Sequence, residues 1–443
     1  MQLSFAPSGL LVRPLMIVFS LAAGAMLTAA AIGRGGEAGW AQGLVLLAGG
    51  IGYAAVLVCW SGLPRTIWLA AACWLLAAGW CWVQSLPLTV VAHPLWGAAA
   101  SVLPGSVTGS IAIDPYSAQG DALRLAAYGG LAGLGYMLAR LGFAFAVLGA
   151  IAVFVAVFSG AALVLVPEHL AMELGKVRHA ADAVFPFTSR NTFCVFAGAG
   201  LLVSATMLVG AKREGRLVWR CCGIVAASGV VSSHSRAGLV ATGLGLVVMV
   251  VVATPSGKVR VLGLLASLGL AAALAAAGAV TLTGDRFAGF SDDLGIRLAI
   301  WRASAEIASQ HLWLGLGSLD QALQMSPGDW GDRHILRAHN IYVQAVAERG
   351  MPAAMAMMGA ILLAVRQISR SLASLGDWQD RAVPAAVLGV LALFAVHGLV
   401  DFSLYAPVNA AILAVLLGTG CGLRSPALPK PAPFATNAQL SPY

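Results

Sequence analysis

Hydrophobic residues in this chain come in unbroken runs, without the alternation of half-buried strands or the one-sided period of surface helices. The runs are roughly twenty residues long, about what a helix needs to cross a ~30 Å hydrocarbon core. They cover residues 14–32, 41–60, 66–84, 121–140, 142–166, 190–211, 217–233, 237–253, 259–282, 351–369, 382–400 and 408–423. A backbone in lipid must satisfy its own hydrogen bonds, so each run predicts a helix. The fold class expected is an all-α polytopic membrane protein of about 12 transmembrane helices with one long loop. Its parts are nine helices in 1–283, the loop 284–350, three helices in 351–424 and a disordered cytoplasmic tail, 425–443.

Composition supports the membrane reading. Hydrophobic residues make up 59% of the chain and charged residues 10%, well below the share that solvates a soluble surface. The net charge of +8 does not come from a dense basic face, so no nucleic-acid partner is expected. The basic residues fall instead in short loops: Arg65, Arg140, Lys212 to Arg216, Lys258 and Arg260, Arg366 to Arg381, Arg424 and Lys430. With the N-terminus inside, all of these loops are cytoplasmic, as the positive-inside rule requires. Most acids and seven histidines then face the periplasm, with His397 near the outer end of its helix. The seven cysteines lie in apolar runs and show no metal-ligand spacing, so no metal or cofactor is expected. Arg13 precedes a first transmembrane helix rather than a removed signal.

Three outer regions carry polar residues suited to chemistry. The first is Phe185-Pro-Phe-Thr-Ser-Arg190-Asn191, and the second is Ser232-Ser-His-Ser-Arg236. The third is the long loop. There an amphipathic helix from Asp293 to about Gln310 places Arg297 and Trp301 on one face, with Arg302 beside them. Gly315-Leu-Gly317 ends it. Arg337-Ala-His339-Asn340 opens a second helix with a polar stripe of Asn340, Gln344 and Glu348, and Gly350 and Pro352 separate that helix from the next span.

His339-Asn340, nine residues, Gly350, two residues and Ala353 resembles the signature of the O-antigen ligase and polysaccharide-polymerase superfamily. Ser235-Arg236, Arg297-x-x-x-Trp301, Gly315-x-Gly317, Phe187 to Asn191 and His397-Gly-Leu-Val-Asp401-Phe resemble further segments of that family, although Ser189 replaces an Asn. The resemblance covers roughly residues 180–405. It implies a GT-C-like, metal-independent glycosyltransferase of the bacterial inner membrane with its active face in the periplasm. The donor implied is a glycan on undecaprenyl diphosphate, and the acceptor is a hydroxyl of lipid A core or of another glycan. By this resemblance His339 is the general base, Arg236 and Arg297 hold the diphosphate, and Arg190, Asn191, Trp301, Arg302, Arg337, Asn340 and Asp401 contact substrate. The residue types suit that role. An arginine fork binds phosphate oxygens bidentately without titrating, and imidazole titrates near neutrality.

Plainer roles remain open residue by residue. Arg236 suits an interfacial anchor, Arg297 a partner for Asp293, and Trp301 a packing or membrane-belt position. The alternative function is a transporter or flippase of lipid-linked glycans. It sits less well with nearly charge-free mid-spans and with unlike halves. An envelope scaffold gives no reason for His339.

Overall fold

The computed structural model describes residues 9–59, 63–165, 184–254, 290–325, 337–376 and 379–423, with Ile335 and a few positions between 257 and 272. Of 9–11 and 290–294 it describes the backbone alone. The expected helix 259–282 lies almost wholly outside the described residues. The tail 425–443 lies wholly outside them, as do Lys258, Arg260, His169, His179 and His334.

Every other expected run coincides with a helix. They are α1 (Gly9–Ile32), α2 (Gly39–Val58), α3 (Arg65–Gln84), α4 (Pro94–Val102), α5 (Pro115–Arg140), α6 (Ala144–Val164) and α7 (Arg190–Gly210). There follow α8 (Arg216–Ser232), α9 (Arg236–Ala253), α10 (Phe290–Gln310), α11 (Leu319–Met325), α12 (Ile341–Ala373), α13 (Ala382–His397) and α14 (Pro407–Gly422). Four of these carry side-chain caps at their starts. Asp114 accepts from Tyr116 N at 3.0 Å and Ser117 N at 3.2 Å, Ser235 from Gly238 N at 3.2 Å, and Asn340 from Tyr342 N at 3.0 Å. His93 caps α4 through Leu95 N at 3.2 Å.

Seven described helices are long and apolar enough to cross a membrane, and α13 and α14 are shorter apolar helices. The sequence predicts more spans. The difference lies in α13, α14 and the 17-residue α8, which are short, in α5, which carries Asp121, Arg124 and three tyrosines, and in 259–282, almost wholly outside the described residues. The short helices α4 and α11, the latter inside the long loop, were not expected.

One group of helices is built on α5, which packs against α2, α3 and α14. A second is built on α7, which packs against α6, α8, α9 and α13. Small residues allow the close approach, as is common between helices in lipid. A Cβ on Gly52 would lie 2.0 Å from the Gly130 carbonyl oxygen, and one on Gly418 would lie 1.9 Å from that of Ala132.

The polar segments gather at one end of the helices. Val408 N donates to Gly35 O at 3.1 Å, Ile113 N to Leu316 O at 2.9 Å, and Ile341 N to Gly398 O at 2.8 Å. At the opposite end Arg370 meets Thr66 at 3.2 Å and Arg381 meets Val252 O at 3.1 Å.

Candidate active site

The site is organised by a break in α12. Gly350 has φ 77°, a left-handed value that disrupts the helix one residue after Arg349. A break leaves helix carbonyls without their usual donors, and a second loop supplies them. Leu316 N donates to Ala347 O at 3.0 Å and Gly317 N to Glu348 O at 2.8 Å, while Met351 N donates to Leu312 O at 2.7 Å. This splint needs glycine. A Cβ on Gly315 would lie 2.5 Å from the Glu348 carbonyl oxygen, and one on Gly350 would lie 2.4 Å from that of Trp313. The Gln84 amide closes the joint, donating to Leu314 O at 2.6 Å and Glu348 O at 2.8 Å. Gly315-x-Gly317 and the glycine ten residues after Asn340 are therefore two halves of one backbone contact.

His339 stands immediately before the cap of α12, with φ 51°. That left-handed value is uncommon for a residue with a side chain and costs about 1–3 kcal/mol. Trp301, on α10, donates its indole N–H to the His339 carbonyl at 3.3 Å. The imidazole meets the Phe402 ring edge-on at 5.0 Å, and its Nδ1 is buried without a hydrogen-bond partner among the described residues. Burial holds the imidazole pKa below the ordinary 6.5; the nearby Arg297 charge lowers it further, and Asp401 opposes both. The ring is thus neutral at pH 7. Arg297, one turn before Trp301, donates to Val400 O at 2.6 Å.

Asp401, fully buried, anchors the other side. It accepts from Asn191 Nδ2 at 2.5 Å and from Phe402 N at 2.6 Å. Asn191 Oδ1 accepts from Ser235 Oγ at 2.7 Å, and Ser403 Oγ lies 3.4 Å from Asp401 and 3.0 Å from His397 Nδ1. A continuous polar chain thus links the start of α7, the start of α9 and the turn after α13. Arg190 and Arg236, the first residues of α7 and α9, flank it, both half-buried.

The structure therefore brings the starts of α7, α9 and α12 together with α10 and the 398–406 turn. It also gives several expected substrate contacts internal partners. Asn340 Oδ1 caps α12, both ends of the Asn191 amide are bonded, and Trp301 holds a backbone carbonyl. Arg302 is exposed on α10. Arg337 stands over the Tyr405 ring at 4.7 Å and lies 3.9 Å from Glu348.

A second polar cluster adjoins the first and was not read from the sequence. Buried Arg349 contacts Asp121 at 2.6 Å, Glu348 at 3.2 Å and the Tyr405 hydroxyl at 3.1 Å. Asp121 also pairs with Arg124, Tyr405 donates to Glu348, and Gln344 donates to Glu348 at 2.8 Å. Glu37, in the loop between α1 and α2, accepts from Thr188 at 3.2 Å and feels the charge of Arg337. Burial is the largest influence on Glu37 and raises its pKa. The available signals were Asp121-x-x-Arg124 in an otherwise apolar helix and the adjacent Glu348-Arg349 at a break. Among the described residues no group of three or more His, Cys, Asp or Glu side chains is placed to hold a metal.

Residues 221–358 match a family model described as O-antigen ligase. The match covers less than half of the chain. It supports the likeness to the O-antigen ligase and polymerase superfamily and an O-antigen ligase/polymerase-type function in polysaccharide biosynthesis. No curated protein gives a significant match to the chain. The matched residues include Arg236, Arg297, Trp301, Arg302, Arg337, His339 and Asn340, whereas Arg190, Asn191 and Asp401 lie outside them.

Proposed function

We propose that the protein is a metal-independent glycosyltransferase of the bacterial inner membrane, acting at its periplasmic face. It moves a glycan from undecaprenyl diphosphate to an acceptor hydroxyl. The observation that carries this reading is a half-buried His339 beside Arg297, its surroundings favouring the neutral ring and its buried Nδ1 without a hydrogen-bond partner among the described residues, within the stretch that matches the ligase model. His339 takes the proton of the acceptor hydroxyl as that oxygen bonds the anomeric carbon of the glycan. The bond from that carbon to the phosphate oxygen breaks, and undecaprenyl diphosphate leaves with the electron pair. Arg297 and Arg236 stabilise the charge that develops on it, a contribution of several kcal/mol in a sheltered site. Asp401 tempers the lowered basicity of His339 and ties together the helix starts that bear Arg190 and Arg236.

The test is complementation of a deletion strain with Arg236→Ala, Arg297→Ala and His339→Ala, following membrane expression and surface polysaccharide. Each variant is expected to express and to fail to restore the glycan. Full restoration by all three would sink the assignment. Lipid-linked single repeats accumulating in the deletion strain would mark a polymerase, and lipid-linked long chains a ligase. Activity in a reconstituted system should survive a chelator.

A further inference from the structure

The segment between α3 and α5 has an unusual composition for a loop. From Leu86 to Ile113 it contains no Lys, Arg, Asp or Glu, and His93 is its only titratable residue. A water-facing stretch of this length would carry about seven charges at the usual quarter share. Its helix, α4, contributes no buried residue, and most of its apolar side chains are exposed, with Trp96 and Ala99 half-buried. Val90 is 97% exposed and Val102 78%. Isolated exposed apolar residues are ordinary, but a continuous charge-free run of them marks an interaction surface.

The surface continues from one of the helices able to cross a membrane. Exposed Leu76 and Trp82 on α3 lead directly to exposed Leu86, Leu88 and Val90. Exposed Trp313 belongs to the neighbouring loop, whose His311 ring lies 4.8 Å from that of His93. Tryptophan at such a height suits the boundary between lipid and water. Toward the protein the same segment is firmly tied. Ala112 N donates to Gln84 O at 2.9 Å, His93 N to Ser110 O at 2.8 Å and the Trp96 indole to Ala112 O at 3.1 Å.

We propose that residues 86–113 lie in the lipid leaflet at this end of the helices, with α4 as an in-plane helix among headgroups and upper acyl chains. An uncharged helix whose apolar surface is mostly uncovered gains by burying it there. A charged surface would be costly in the same place. Through Ile113 and Leu316 the segment joins the loop that splints Gly350, so it fixes that loop at the lipid surface. This height suits a lipid-borne diphosphate, a consequence that rests on the proposed reaction. The placement itself does not.

Spin labels report the placement directly. The full chain, with exposed Cys221 and half-buried Cys59 and Cys73 replaced by Ser, takes a label at Val90→Cys, Val102→Cys or, as a water-facing control, Glu306→Cys. It is reconstituted in phosphatidylethanolamine/phosphatidylglycerol vesicles. The ratio of oxygen to nickel-chelate accessibility is expected to be severalfold higher at 90 and 102 than at 306. Equal ratios would place the segment in water, and low accessibility to both reagents would mean a protein partner; either overturns the proposal. Photocrosslinking from benzoylphenylalanine at 90 and 102 needs no cysteine changes, and there adducts to lipid support the placement while adducts to protein alone refute it. Neither readout depends on transferase activity.

Discussion

Two polar clusters lie side by side against the 398–406 turn, and they are built on opposite principles. Around Arg349 the charges are matched inside the protein: two carboxylates, a phenol and a second arginine surround one buried guanidinium. Around His339 they are not matched. The imidazole keeps a free nitrogen, its backbone is left-handed, and Arg297 donates to a neutral carbonyl. A cluster whose charges are paired internally has little to offer a substrate, whereas one left incomplete does. The first therefore holds α5, α12 and the turn in register, and the second is where a reaction is to be sought.

The largest effect expected from this contrast is on catalysis. His339→Ala should lower turnover by about 10²–10⁴-fold, the range for a lost general base, while the thermal midpoint hardly moves. Glycan transfer in vesicles and a melting curve on the same preparation separate the two. A large fall in the melting temperature with modest loss of turnover would reverse the roles assigned to the clusters.

The complementary change is Arg349→Met. Removing one member of a buried ion cluster takes from Asp121 and Glu348 the buried cation they share, leaving Arg124 on one and the more distant Arg337 on the other, at a cost of about 3–5 kcal/mol. Lower folded yield and a lower melting temperature are expected, with turnover per folded molecule much less affected. Adding Asp121→Asn should recover part of the loss, because one of the two carboxylates that lost their shared cation is then gone. A double variant no more stable than the single one would show that the cluster does not work through charge matching.

These two clusters were unequally legible in the sequence. His339 and Asn340 stand together in one short motif, and Arg297 and Trp301 are one helical turn apart, so local periodicity already places them. The Arg349 cluster draws on α5, α12 and the 403–405 turn, and a lone Asp121 in an apolar helix does not reveal its distant partner. Glu37 was similarly hidden: in sequence it is one acid in a Gly-rich loop, and only folding brings it to Thr188. The helices themselves were plain because lipid demands long apolar runs. The glycines at 315 and 317 were visible as a break. Their pairing with residues 347 and 348 was not, since backbone docking leaves no periodic trace.

A pH profile sharpens the account of the incomplete cluster. Because His339 acts neutral and its pKa lies below 6.5, the acid limb of the turnover profile should also lie below 6.5. Arg297 lowers that pKa, so Arg297→Gln should move the limb of the residual activity to higher pH. Asp401 raises it, and Asp401→Asn should move the limb lower. Shifts in the same direction would remove His339 as the titrating group.

The smallest effect tests how His339 is held. The Trp301 indole donates to the His339 carbonyl, not to its ring, so it bears on backbone placement and not on basicity. Trp301→Phe keeps most of the aromatic surface and removes one neutral hydrogen bond, worth about 0.5–1.5 kcal/mol. Turnover should therefore fall by no more than about tenfold, with the acid limb unmoved. If the substitution instead abolished transfer while leaving the melting temperature intact, Trp301 would have to touch the substrate. The indole would then belong with the reacting groups of the incomplete cluster and not with its supports.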